Sequence, residues 1–114
     1  MAAWLPSVGI DDTVVMCTIS RGEILFGFER LPRGRRRIEL EEKARKVFAS
    51  LPCEPILPAA GDQYANVKSL LERRGQPIDQ NDLWIAATAL AMQATLVTRD
   101  SDFQRIEGLN VIEP

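Results

Sequence analysis

Asp82-Leu83-Trp84-Ile85-Ala86-Ala87-Thr88-Ala89-Leu90-Ala91, running on through Met92 and Gln93 into Ala94-Thr95-Leu96-Val97-Thr98, is the stretch whose reading decides the fold. From about Asn81 to Gln93 it is apolar nearly all round, which predicts a helix buried against a sheet rather than one lying on a surface. The short, apolar, β-prone run Ala94–Thr98 that follows predicts a buried strand. Pro77 and Asp79 come just before the helix and mark its start.

The same alternation continues outward. Downstream, Asp100 to Ile106 predicts a short helical turn and Leu109–Ile112 a last strand. Upstream, Tyr64, Val67, Leu70 and Leu71 form a one-sided apolar stripe that ends near Gly75. Glu54–Pro58 predicts a brief strand, kept short or at an edge by its prolines. Leu40, Ala44, Val47, Phe48 and Leu51 predict a helix closed by Pro52. Ser20-Arg21-Gly22-Glu23 has the S-x-x-E spacing of a capping box, so a helix is expected to begin there and to run through Leu31. Thr13–Ile19 predicts a buried strand, Asp11-Asp12 a turn before it, and Ala2–Pro6 the tail of a helix. Strands alternating with helices imply an α/β fold: a mainly parallel central sheet flanked by helices, within one domain over residues 1–114.

Composition bounds the chemistry. With 46% hydrophobic residues the chain of 114 can build a core and is not disordered. No run reaches the roughly 20 apolar residues that a membrane span needs, and the start lacks the pattern of a signal peptide, so a cytoplasmic location is expected. There is no histidine. That removes Ser-His-Asp and Cys-His catalysis together with histidine-ligated zinc. Cys17 and Cys53 are expected to be reduced core thiols. What remains is carboxylates, hydroxyls, Lys and Arg, and carboxylates favour hard cations such as Mg²⁺ or Mn²⁺.

Three acids are placed to reach the carboxyl edge of a parallel sheet, where such folds bind ligands. Glu23 lies on the helix after the first strand, Asp82 opens the buried helix, and Asp100 follows the strand ending at Thr98. Each also has a local explanation. Glu23 fits the third helical position of a capping box, Asp82 a first turn favoured by the helix dipole, and Asp100 the cap of the turn holding Phe103 and Ile106. Together they point to a cation site, because clustered carboxylates repel unless a divalent ion balances them. The net charge of −2 gives no hint of a nucleic-acid partner. Between positions 30 and 46, however, lie Arg30, Arg33, Arg35, Arg36, Arg37, Lys43, Arg45 and Lys46. They form either a solvated helix start balanced by Glu39, Glu41 and Glu42, or a rim for phosphates.

Four of these stretches, taken in order, resemble the PIN-domain ribonucleases of the VapC and FitB toxin type. Ser20–Gly27 resembles the segment in which a helix-borne Glu is followed four residues later by Gly. Glu29–Arg37 is similar to the Leu-Pro-x-Gly-basic connection. Asp82–Ala89 is similar to the D-x-x-I-A-A-T-A helix, and Leu96–Phe103 to the L-V-T-R-D/N strand end. The ending Val111–Pro114 also fits. The resemblance implies a three-layer PIN fold and an endoribonuclease that uses Mg²⁺ or Mn²⁺ and leaves 5′-phosphate and 3′-hydroxyl ends. It implies Glu23, Asp82 and Asp100 as metal and catalytic acids, with Asp102 as a further metal candidate. Thr98 is implied as the partner of a carboxylate or a metal-bound water. Arg35, Arg36 and Arg37 are the expected RNA contacts, and an antitoxin and a second copy of the chain the expected protein partners.

Members of that family begin with an apolar strand ending in an L-D-T-N-type motif, whose Asp is a metal ligand. Met1-Ala2-Ala3-Trp4-Leu5 resembles instead the end of the helix that follows, so the resemblance implies that this strand and its acid are missing here. An alternative expectation is therefore a truncated or degenerate, non-catalytic PIN protein that binds antitoxin or RNA. A phosphoacceptor signalling domain is a third class. It would need an Asp ending the strand Glu54–Pro58 and a later Lys, and no Lys follows Lys68.

Overall fold

The computed structural model describes residues 14–114. The expected helix tail at Ala2–Pro6 and the turn at Asp11-Asp12 lie outside the described residues. What is described forms two compact units, residues 14–55 and residues 56–114.

In the first unit, β1 (Met16–Cys17) leads directly into α1 (Thr18–Glu29), then α2 (Arg35–Ser50) and β2 (Cys53–Glu54). The strands pair in parallel, Met16 opposite Cys53 and Cys17 opposite Glu54, and the Met16 amide donates to Pro52 O at 2.7 Å. Parallel neighbours need a crossover, which α1 and α2 supply. The strand is shorter than Thr13–Ile19, and the helix begins two residues before Ser20. The capping box at Ser20 is not formed. Instead Thr18 Oγ1 donates to the Glu54 carbonyl at 2.9 Å, tying the first helical residue to β2. Tertiary pairing with β2 thus sets this boundary, ahead of the local cap. The predicted stripe of α2 is realised: Leu40, Ala44, Val47, Phe48 and Leu51 are all half-buried. The guanidinium of Arg21 sits 4.6 Å over the Phe48 ring and joins α1 to α2.

Cys17 and Cys53 occupy neighbouring strands one register step apart, so their side chains leave opposite faces of the ladder. Both are free thiols, as expected; Cys53, however, is exposed and Cys17 half-buried, so neither is a core residue.

The second unit comprises α3 (Pro58–Arg73), α4 (Gln80–Ala91), β3 (Leu96–Val97), a 3₁₀ turn (Ser101–Arg105) and β4 (Val111–Ile112). Pro58, expected to end a strand, starts α3 instead. At a first helical position its fixed φ suits the helix and its missing N–H costs nothing. Strands β3 and β4 are parallel, with Leu96 opposite Val111 and Val97 opposite Ile112. The core lies here. Its buried apolar residues are Ala60, Val67 and Leu71 of α3, Leu83, Ile85, Ala86, Ala87 and Ala89 of α4, and Phe103 and Ile106 beyond β3. Ala60, Ala86 and Ala87 are 0% exposed, and their small side chains let the two helices approach closely. Thr88, the one buried polar residue among the described residues, donates back to Trp84 O at 2.7 Å.

Both helices of this unit end in the same way. Gly75 N bonds Glu72 O and Gln76 N bonds Leu71 O; Gln93 N bonds Leu90 O and Ala94 N bonds Ala89 O. These are Schellman ends, which need a left-handed residue. Gly75 (φ 66°) meets that need without strain, whereas Gln93 (φ 53°) does so with a Cβ in the way. Gln93→Gly is expected to stabilise the chain by roughly 0.5–1 kcal/mol, and Gly75→Ala to destabilise it by about 1 kcal/mol. Urea titrations of the two variants check both signs.

Candidate functional site

Each acid implied by the resemblance has a defined local setting. Asp82 is the third residue of α4, half-buried in its first turn. The cap of that helix is Asp79, whose carboxylate accepts from Asn81 N at 3.2 Å. Asp82 is thus not the cap, although the positive end of the helix favours its charge. It also has interactions of its own within the fold.

Asp100 follows β3 and caps the 3₁₀ turn: its Oδ1 accepts from Asp102 N at 2.9 Å. Thr98 Oγ1 accepts in turn from Asp100 N at 3.1 Å. Thr98 is itself fixed by its amide, which donates to Ile112 O at 3.0 Å as the strand ladder ends. The chain Thr98–Asp100–Asp102 is therefore set by successive side-chain-to-backbone bonds, and Asp102 Oδ1 lies 3.2 Å from Arg105 Nη2. Both the local reading of Asp100 as a cap and its placement at a strand's carboxyl end hold. One carboxylate can fill both roles, because it offers about four lone-pair sites and the cap takes one.

Glu23 stands in the other unit, exposed on α1. Because that helix starts at Thr18, Glu23 is its sixth residue and cannot be the capping-box acid. Among the described residues of neither unit do three or more Cys, Asp or Glu side chains gather where they can hold a metal ion. The donor set itself consists of hard carboxylate oxygens, which suits Mg²⁺ or Mn²⁺.

The three arginines separate. Arg35 and Arg36 are exposed at the start of α2. Arg37 is clasped: Nε to Glu41 at 2.5 Å, Nη2 to Glu29 at 3.3 Å, and Nη1 to the Leu31 carbonyl at 3.3 Å. The hydrogen bond to Glu41, aided by Glu29, holds its guanidinium above its ordinary range. Arg37 thus joins the end of α1 to α2. Helix α2 has no acid in its first turn and no side-chain cap on Gly34, so the positive charge of Arg35 and Arg36 sits at the unfavourable end of a helix dipole.

One cluster escaped the sequence reading. Tyr64 and Trp84 stack with ring centroids 4.2 Å apart and 14° between planes. Lys68 Nζ donates to Tyr64 Oη at 3.3 Å, and Gln80 Nε2 donates to the same oxygen. The available signal was the pair of i, i+4 spacings, Tyr64 with Lys68 and Gln80 with Trp84, on consecutive helices.

Comparison with known proteins agrees with this architecture. The PIN domain family model matches residues 2–109. "Ribonuclease VapC1" of Haemophilus influenzae (strain R2866) is 37% identical over 103 residues, which cover 87% of this chain and 72% of that protein. Among solved structures, VapBC2 from Rickettsia felis, bound to a DNA fragment from its promoter, superposes with a TM-score of 0.87 at 24% identity, covering 99% of this chain and 84% of that one. VapBC-1 from nontypeable Haemophilus influenzae gives a TM-score of 0.84 at 25% identity, covering 98% and 82%. The chain belongs to the PIN-domain family, and its fold is the PIN-like α/β fold expected from the motifs. No helix among the described residues is long and apolar enough to cross a membrane.

The division of labour among the arginines is testable by thermal denaturation. Arg37→Ala is expected to lower the midpoint, because Glu29, Glu41 and the Leu31 carbonyl lose a shared donor. Arg35→Ala with Arg36→Ala is expected to leave it unchanged or to raise it.

Proposed function

We propose that this chain is an endoribonuclease toxin of the VapC type, hydrolysing RNA phosphodiesters with Mg²⁺ or Mn²⁺ and neutralised by a cognate antitoxin. The observation that carries this reading is the pairing of family membership with the positions of Asp82 and Asp100, one opening the buried helix α4 and the other following β3. Asp82 and Asp100 are the residues of the second unit that would hold the cation, with Asp102 as the additional acid; Glu23, on α1, is a candidate ligand on the family resemblance alone. The chemistry that a divalent ion would supply there is activation of water and neutralisation of charge on the phosphodiester.

The remaining roles belong to the chain's own groups. Thr98 holds the Asp100 backbone through its hydroxyl, fixing where that carboxylate starts. Asp102 is tethered by Arg105, so it is the acid less available to a cation. Arg35 and Arg36 offer two unclasped guanidinium groups suited to phosphate oxygens. Their seat at the head of α2 is unfavourable to the helix alone and favourable once an anion sits beside them. With Arg37 committed to Glu29 and Glu41, the RNA rim narrows to its two neighbours. The relatives solved as VapBC assemblies support an antitoxin as protein partner, and the reading includes a homodimer acting in the cytoplasm.

Calorimetric titration with Mn²⁺ tests the site without knowledge of the RNA target. Binding by the native chain and its loss in Asp82→Asn are expected, followed by cation-dependent cleavage of RNA that both Asp82→Asn and Asp100→Asn abolish. Cleavage that survives both substitutions would sink the proposal. Charge reversal at Arg35 and Arg36 is expected to weaken RNA binding and to reduce its salt dependence by about 1–2 in logarithmic slope.

A further inference from the structure

The Tyr64 cluster is rich in donors and short of acceptors. A phenolic oxygen has two lone pairs and one proton. Lys68 and Gln80 both donate to Tyr64 Oη, so its own O–H is left to donate outward. Lys68 spends one of three N–H groups there and forms no ion pair among the described residues. The same two donors hold the phenol ionisation below its usual range, the Gln80 bond first and Lys68 second, with Glu72 acting weakly the other way. Beside these donors lies the stacked pair Tyr64–Trp84, and both rings are half-buried rather than enclosed. Trp84 lies two residues beyond Asp82, roughly 200° around α4, so the cluster and that acid occupy different sides of the helix.

An anionic acceptor next to a flat, apolar surface would satisfy both halves of this arrangement. A phosphate with its unstacked base has that chemistry, and stacking on aromatic rings beside a cation is how single strands are held without sequence preference. We propose that Tyr64, Lys68, Gln80 and Trp84 form a subsite for one nucleotide of single-stranded RNA, on another side of α4 from Asp82. The phosphate meets Lys68 Nζ and the Tyr64 hydroxyl, and the base lies against the exposed part of the aromatic pair. The choice of RNA as ligand rests on the ribonuclease reading.

The test measures binding of a labelled single-stranded oligoribonucleotide to the full chain over a salt series, with EDTA present to prevent cutting. Lys68→Gln is expected to weaken binding several-fold and to lower the salt slope by about 0.7, the value for one phosphate contact on a single strand. Lys68→Arg should keep the slope. Tyr64 is the single tyrosine, so its phenolate absorbance reports on this site alone. A saturating oligonucleotide should raise the pH of that ionisation, since phosphate opposes a second negative charge. A merely structural Tyr64–Lys68 contact would leave this titration unmoved. If the native chain cleaves RNA with Mn²⁺, yet Lys68→Gln binds as tightly with the same slope, the subsite is wrong and the ribonuclease reading stands. If the native chain binds no RNA, both fall.

Discussion

Burial of α4 is the constraint from which the second unit follows. A helix apolar on nearly every side cannot rest at a surface. Ala86 and Ala87, wholly removed from solvent, leave room for α3 to come close, and Leu71 is 2% exposed. Truncating such a leucine typically costs about 2–5 kcal/mol, which is why the helix position tolerates little change. With its middle fixed, the helix can offer chemistry only at its ends. The N-terminal end carries Asp82, where the dipole favours a carboxylate; the C-terminal end turns through Gln93 directly into the segment that becomes β3. The acid at the head of the helix and the acid after the strand therefore both depend on one packing decision.

The strand end shows how little structure is needed to fix a polar segment. β3 is only Leu96–Val97, yet the Thr98 amide is held by Ile112 O, and the amides of Asp100 and Asp102 each donate to the polar side chain two residues before. Such side-chain bonds are local, joining residues two apart in the chain. The first unit uses a different device. Its helices α1 and α2 hold no fully buried residue, and they are joined by half-buried stripes, the Arg21–Phe48 contact and the clasp of Arg37. A polar clasp of this kind is directional, so Arg37 is held while its neighbours Arg35 and Arg36 remain in solvent.

What the sequence determined by itself was whatever follows from periodicity and composition. The identities of four helices, the order of strands along the chain, the buried character of Leu83 and of residues 85–89, and the exclusion of histidine chemistry all follow from side-chain type and spacing. The resemblance added candidates for the acids, because motif order is preserved along the chain. Only tertiary structure decided the rest. Pairing of β1 with β2 moved the start of α1 from Ser20 to Thr18, since a bond to a neighbouring strand outweighed a local cap. The same boundary removed Glu23 from the capping box. The first position of α3 went to Pro58, which the sequence alone read as the end of a strand. Arg35, Arg36 and Arg37 are indistinguishable as letters, and only the placement of Glu29 and Glu41 around one of them told structure from surface. The Tyr64–Trp84 stack was hidden for the same reason: spacing shows which residues share a helix face, but not which faces meet.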